Sequence, residues 1–156
     1  MNAESTAPIA LEYRLTCAPP HAFSVYTERI GEWWEGRYTA NAETFEDVRI
    51  EPGVGGRIYA VHSDLGRHDW GEVTAWEPGW LLVHSFTLAQ DIEYPSEVRV
   101  QFEPGPGEGT LLRFAHGGWT AENLAVRDKF GDWSVLLDAF AALAERAPAR
   151  GGDRSA

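Results

Sequence analysis

The alternation of apolar and polar residues predicts a strand at the start of the chain. Four apolar residues alternate with polar or small ones over residues 9–16: Ile9, Leu11, Tyr13 and Leu15. A period of two residues is typical of a half-buried strand. Pro19 then suits the first turn of a helix, and apolar residues follow at helical spacing as far as Gly31, where we expect that helix to end.

From residue 47 onward the pattern changes to short alternating segments separated by glycine- and proline-rich turns. Their spacing of roughly 8–15 residues leaves no room for intervening helices, so the pattern predicts an antiparallel meander. We expect its strands near 47–51, 57–62, 68–77, 80–88, 97–103 and 110–116. Val98, Val100 and Phe102 form the clearest alternation.

Near the end of the chain, an apolar stripe at helical spacing predicts one long helix, about 122–146. The complete order predicts an α+β fold, in which a curved antiparallel sheet of six to seven strands wraps around this helix. One or two short helices follow the first strand. We expect a flexible tail at 1–8, a single domain at 9–147 and a disordered tail at 148–156.

Composition narrows the class of protein. The formal net charge of −11 disfavours a nucleic-acid partner, because the chain as a whole repels phosphate. Cys17 is the sole cysteine, which excludes an intramolecular disulfide and a thiolate zinc cage. The sequence has no signal-peptide pattern and no apolar run that approaches the roughly 18 residues of a membrane helix, so we expect a cytoplasmic protein without membrane insertion.

Several short motifs carry a resemblance to a known family. They are Trp33-Trp34, Glu-Pro-Gly-Val-Gly-Gly-Arg at 51–57, Gly-Glu-Val-Thr-Ala-Trp-Glu-Pro at 71–78 and His-Gly-Gly-Trp at 116–119. Their order resembles, over about 9–147, the helix-grip fold of the START or SRPBCC superfamily, and within it the branch named after the C-terminal domain of the activator of heat-shock protein 90 ATPase. The resemblance implies a largely apolar ligand cavity between the sheet and the long helix. It implies no particular reaction, since one fold hosts many functions.

The seven tryptophans exceed what a core of this size needs, which points to an aromatic site. We expect eight aromatic residues around the cavity: Trp33, Trp34, Tyr59, Phe86, Phe114, Trp119, Phe130 and Trp133. Packing in the core is the alternative for each of them. His84 and His116 are the predicted polar groups that orient a ligand.

Strand alternation places three histidines on the inner face of the sheet: His62, His84 and His116. Their strands are second neighbours in the predicted meander and lie about 10 Å apart, too far for one metal ion. We therefore expect no metal and no cofactor. Each histidine acts either in acid–base chemistry or as a hydrogen-bonded structural residue.

Glu72 is a further catalytic candidate, but its orientation depends on the register of its strand. One register turns Glu72 inward together with Trp70, Thr74 and Trp76, where burial raises the pKa of the carboxyl. The other register turns Gly71, Val73 and Ala75 inward and leaves Glu72 in solvent.

Three hypotheses for function follow. The first is binding of a small hydrophobic molecule, aromatic or lipid-like, in the cavity. The second is a cyclase- or hydratase-type enzyme that uses Glu72 with a cavity histidine for proton transfer. The third is a module that regulates a chaperone, as the family name suggests. A homodimer is also left open by the sequence.

Overall fold

The computed structural model describes residues 7–88 and 90–146. Its seven strands form one antiparallel sheet in the order β1-β7-β6-β5-β4-β3-β2, so the first strand closes against the last. The strands are β1 Ile9–Leu15, β2 Phe45–Ile50, β3 Arg57–His62, β4 Gly66–Glu77, β5 Leu81–Phe86, β6 Ser96–Pro104 and β7 Thr110–Gly117. The predicted α+β fold with a meander is confirmed.

Three α-helices pack on the sheet: α1 Pro19–Glu28, α2 Ile30–Trp33 and α3 Trp133–Arg146. Short 3₁₀ segments lie at Gly36–Tyr38, Pro106–Glu108 and Leu124–Phe130. The predicted helix end at Gly31 is wrong, because Gly31 lies inside α2. A Cβ at Gly31 would collide with the Asp47 carboxylate on β2, so the glycine permits α2 to lie close to the sheet.

The predicted C-terminal helix is also shorter than expected. Residues 124–130 form 3₁₀ turns, and α3 begins only at Trp133. Gly131 and Asp132 separate the two segments; glycine is a weak helix former, and aspartate is favoured at helix starts rather than in interiors. Phe130 therefore belongs to the 3₁₀ segment that precedes α3, and its side chain packs against the core from there.

The core lies between the inner face of the sheet and the helices. On β6 every second residue is buried, and the inward set consists of Ser96, Val98, Val100 and Phe102. Leu137 and Phe140 of α3 are fully buried. Burying an apolar side chain of this size stabilises the fold by about 1.5–3 kcal/mol.

Strand β4 contains two β-bulges, and they change which side chains face inward. Ile58 pairs with Gly71 but Tyr59 pairs with Asp69, so Trp70 is an extra residue on β4. A second shift between Val73 and Ala75 makes Thr74 another extra residue. Each bulge shifts the alternation by one residue, so neither predicted register applies to the whole strand.

As a consequence, Trp70 is buried, Trp76 packs against the core, and Glu72 between them is exposed. Glu72 pairs with Arg57, which is also exposed. A carboxylate between two inward indoles, as the first register predicted, is therefore not formed.

The predicted tail at 148–156 lies outside the described residues, as do residues 1–6 of the predicted tail at 1–8. Within the part of the chain that the structure describes, no helix combines the length and apolar character of a membrane span.

Candidate functional site

A cavity of about 530 Å³ lies near the N-terminal end of α3, between the helix, the inner face of the sheet and the segment that follows α2. Ligand pockets in proteins generally have volumes of about 300–1,000 Å³. The lining residues are Trp34, Arg37, Tyr38, Thr39, Ala40, His68, Phe86, Leu88, Phe130, Asp132, Trp133 and Leu136. We refer to this space as the α3 cavity.

Aromatic rings form most of the apolar wall of the α3 cavity. The ring centroid of Phe86 lies 5.6 Å from that of Phe130 and 5.7 Å from that of Trp133. Trp34 meets Trp133 edge to face at 5.6 Å. Such tilted and edge-to-face pairs are favourable for aromatic rings and hold the wall in a defined shape.

Polar groups define the exposed side of the cavity. The Tyr38 hydroxyl donates a hydrogen bond of 2.9 Å to Oδ2 of Asp132, which joins the segment after α2 to the start of α3. The Arg37 guanidinium lies 4.8 Å from the centroid of the Tyr38 ring and pairs with Glu35 at 2.8 Å. The side of the cavity that faces solvent is therefore charged, whereas its wall is aromatic.

His68 is a polar residue in the lining of the α3 cavity. It pairs with the buried Ala60 across β3 and β4, which places it on the inner face of the sheet. Its Nδ1 atom is buried and has no hydrogen-bond partner among the described residues. His68 is not among the predicted site residues, although it lies two residues before Trp70 on one strand, a spacing that indicates a shared face.

His116 lies behind the aromatic wall and takes part in a hydrogen-bond chain. Trp133 Nε1 donates to Nδ1 of His116 at 2.9 Å, so Nδ1 is the acceptor of the ring. The proton is then on Nε2, which donates to Oγ of Ser96 at 2.7 Å. Burial lowers the pKa of His116 to about 3, with the charges of His84 and Arg127 contributing, so the ring is neutral near pH 7.

His84 and His62 are buried and do not line the α3 cavity. Nδ1 of His84 donates to the Ser85 carbonyl oxygen at 2.7 Å, and burial lowers the pKa of His84 to about 4. Nδ1 of His62 lies 3.1 Å from Oγ1 of Thr44. No group of three or more potential metal ligands occurs among the described residues.

The other predicted site residues lie outside the cavity lining. Trp33 packs on Tyr26 and Phe140 within the core. Tyr59 is on the outer face of β3, where the Arg67 guanidinium lies 3.9 Å from its ring centroid. Three predicted residues are therefore buried behind the wall or in the core, away from the cavity: Trp33, Phe114 and Trp119.

Four of the ten predicted ligand-binding residues line the α3 cavity: Trp34, Phe86, Phe130 and Trp133. Arg37 and Tyr38 were missed because they lie in a short 3₁₀ segment between α2 and β2, where no alternation orients a side chain. Asp132 was missed because the sequence places it inside the predicted helix, whereas it lies just before α3. Leu88 and Leu136 were missed because an apolar residue in the core and one at a cavity have the same sequence pattern.

A curved antiparallel sheet against a C-terminal helix, with a cavity between them, defines a helix-grip protein. Residues 17–145 match the family described as activator of Hsp90 ATPase homolog 1-like protein. The chain belongs to this family, as its motifs suggested.

Solved structures with the same fold include proteins of different description. Protein MLL2253 from Mesorhizobium loti is 24% identical with a TM-score of 0.66, covering 90% of this chain and 98% of the other. The Aha1 dimer from Colwellia psychrerythraea is 18% identical with a TM-score of 0.65, covering 89% and 96%. An anthrahydroquino-γ-pyrone synthase is 23% identical with a TM-score of 0.59, covering 91% and 99%. At these identities the likeness shows the fold alone. No curated protein sequence matches the chain significantly.

Proposed function

We propose that this protein binds a small hydrophobic molecule, aromatic or lipid-like, in the α3 cavity. The observation that carries the proposal is a cavity of about 530 Å³ whose wall contains Trp34, Phe86, Phe130 and Trp133. A cavity with an apolar wall and a few polar groups is the usual form of a small-molecule site. The binding energy comes from burial of apolar surface, at about 25 cal/mol per Å² removed from water.

The experiment is a titration with 2-methylnaphthalene, a small apolar aromatic probe. Because Trp34 and Trp133 line the cavity, binding is expected to change the tryptophan fluorescence, and isothermal calorimetry gives the affinity independently. If the protein does not bind this probe or a comparable fatty-acid probe, the proposal is wrong.

Two leucines of α3 provide a matched pair of variants. Leu136 and Leu143 are both buried, and they lie seven residues apart on one face of the helix, but only Leu136 lines the α3 cavity. We expect Leu136→Trp to fill the cavity and weaken probe binding at least tenfold. Leu143→Trp is expected to retain binding but to lower the free energy of unfolding by about 1–3 kcal/mol, because it overpacks a filled core.

A contrary result would be equal probe affinity in both variants, which would place the probe elsewhere on the molecule. Denaturation in urea, measured for both proteins, identifies the folded fraction in each titration. A loss of 1–3 kcal/mol leaves a typical domain folded, so the control is expected to be measurable.

The enzyme hypothesis now has less support than binding. It requires Glu72 in the cavity with a histidine, but Glu72 is exposed and pairs across the strands with Arg57. The family description names activation of a chaperone ATPase, and co-purification with Hsp90 followed by an ATPase assay tests that interaction directly.

A further inference from the structure

The inner surface of β4 has hydrogen-bonding groups that the described residues do not satisfy. Nδ1 of His68 is buried and unpartnered in the lining of the α3 cavity. The indole N–H of Trp70, two residues further along, is also buried and unpartnered. Trp70 packs on Trp34 at 5.0 Å and on Phe86 at 5.5 Å, and both of those rings line the cavity.

An unpaired buried polar group is costly. Leaving one without a partner destabilises a protein by about 1–3 kcal/mol, so most buried polar groups have a partner. His84 and His116 follow this rule, with bonds of 2.7 Å to Ser85 and to Ser96. His68 differs from them in two respects, because its Nδ1 is unpartnered among the described residues and its side chain borders a cavity.

We infer that His68 is the polar group that selects the ligand, and that the ligand is an aromatic compound carrying a hydroxyl group that hydrogen-bonds to Nδ1. The inference rests on the proposed function and adds the ligand class to it. A hydroxyl both donates and accepts, so it pairs with His68 whether Nδ1 is protonated or not. The aromatic wall beside His68 favours a planar ring as the remainder of the ligand.

The role of His68 is in specificity rather than in overall affinity. An apolar probe of the same shape is expected to bind the α3 cavity and leave Nδ1 unpaired, whereas a hydroxyl in the same position pairs with it. A site built around a hydrogen bond discriminates against the analogue that lacks it. The difference in binding affinity between two such probes therefore isolates the contribution of the His68 hydrogen bond.

The experiment compares 2-naphthol with 2-methylnaphthalene, which differ by a hydroxyl in place of a methyl group. Dissociation constants are measured by calorimetry for the natural protein and for His68→Phe, which keeps a ring of similar size but has no ring nitrogen. We expect the ratio of the two affinities to shift by about tenfold toward 2-methylnaphthalene in His68→Phe, the size of one hydrogen bond. The readout is the ratio of the two affinities rather than either affinity alone, and urea denaturation shows that the variant is folded.

His62→Phe is the matched control. His62 is likewise buried on the inner face of the sheet and has an unpartnered Nε2, but it does not line the α3 cavity. The affinity ratio should not change in this variant. If His68→Phe leaves the ratio unchanged, or if His62→Phe changes it equally, the inference is wrong while the proposed function stands.

A second measurement observes the ligand contact in the natural protein. In the ¹⁵N-labelled natural protein, 2-naphthol should shift the Nδ1 resonance of His68, identified by its loss in His68→Phe, and 2-methylnaphthalene should not. An equal shift of the Nδ1 resonance with both probes would contradict a hydrogen bond between His68 and the 2-naphthol hydroxyl. If the protein binds the fatty-acid probe but neither naphthalene, the inference fails and the proposed function stands. If it binds none of the three probes, both fail.

Discussion

The buried histidines of the sheet are held neutral by their surroundings. Burial lowers the pKa of His84 to about 4 and that of His116 to about 3. In His116 the hydrogen bond from Trp133 occupies Nδ1, so a second proton on the ring would break that bond. Neither side chain is set to exchange a proton near pH 7, which agrees with a structural role for both.

These two histidines predict how stability depends on pH. Folding lowers each pKa from about 6.5, so below that pH the unfolded chain binds more protons than the folded protein. The stabilisation that comes from keeping these two histidines neutral is therefore complete above about pH 6.5. It is lost as the pH falls toward their folded-state pKa values. We expect a slope of up to about 1.4 kcal/mol per pH unit for each histidine.

Urea denaturation monitored by tryptophan fluorescence at several values between pH 7.5 and pH 5 measures this slope. Carboxylates with lowered pKa values, such as Asp69 and Glu145, titrate in the unfolded chain near 3.8 and 4.5 and contribute mainly below this window. His84→Asn should reduce the slope by the contribution of one histidine. A free energy of unfolding that is constant from pH 7.5 to pH 5 would show that the pKa values are not lowered.

At the level of secondary-structure elements, two tyrosine–aspartate hydrogen bonds tie other segments to α3 or its start. Tyr38 donates to Asp132 at 2.9 Å beside the cavity, and Tyr13 of β1 donates to Asp138 at 2.7 Å. Only the first pair borders the α3 cavity. The Tyr38–Asp132 hydrogen bond therefore holds the segment after α2 over the cavity, and deleting the Tyr38 hydroxyl removes it.

We expect Tyr38→Phe to increase the rate at which a bound aromatic probe dissociates, by about two- to tenfold. This is the range for one hydrogen bond of about 0.5–1.5 kcal/mol. Tyr13→Phe removes the same kind of bond from α3 at a distance from the cavity and should leave the rate unchanged. Stopped-flow fluorescence measures both rates, and equal rates in the two variants would show that the Tyr38 bond does not control access.

Two glycines make different contributions to helix placement. A Cβ at Gly31 would collide with Asp47 and would lie 3.1 Å from the Val48 carbonyl oxygen. Gly131 has helical dihedral angles, with φ −76° and ψ −8°, and a Cβ there would meet no atom within 4 Å. The first glycine allows α2 to contact β2, whereas the second limits the length of the C-terminal helix.

Alanine substitutions separate these roles. Gly31→Ala should lower the free energy of unfolding by about 1 kcal/mol, because the new Cβ displaces the Asp47 carboxylate from its 2.9 Å hydrogen bond with the Val48 N–H and crowds the Val48 carbonyl oxygen. Gly131→Ala should raise it by about 0.5–1 kcal/mol, because alanine restricts the unfolded chain and favours helix. Chemical denaturation tests both, and a stabilised Gly31→Ala would contradict the close contact between α2 and β2.

At the scale of the whole molecule, the fold depends on contacts between distant parts of the chain. β1 pairs with β7, and Thr110 Oγ1 donates to the Cys17 carbonyl oxygen at 2.8 Å. The backbone N–H of Thr16 donates to the Glu145 carboxylate of α3 at 2.9 Å. The sheet is complete only when the first and last strands have met, a topology typical of slow folding.

The sequence alone was sufficient for the features that depend on local periodicity. Alternation on β6 and β7 identified the inward side chains, including His116 and Phe114, because a regular strand turns every second residue to the same face. The turns, the meander and the family could be predicted from the sequence because each depends on short runs of adjacent residues.

The tertiary structure decided the features that depend on contacts between distant segments. The bulges at Trp70 and Thr74 arise in pairing with β3 and β5, and they determine that Glu72 faces outward. Where the α3 cavity lies depends on how α3 and the segment after α2 pack on the sheet. For that reason Trp34 and Trp133 line it while Trp33, adjacent to Trp34 in sequence, belongs to the core. The spacing of His68 and Trp70 indicates a shared face, but only the packing of α3 shows that this face borders the cavity at His68.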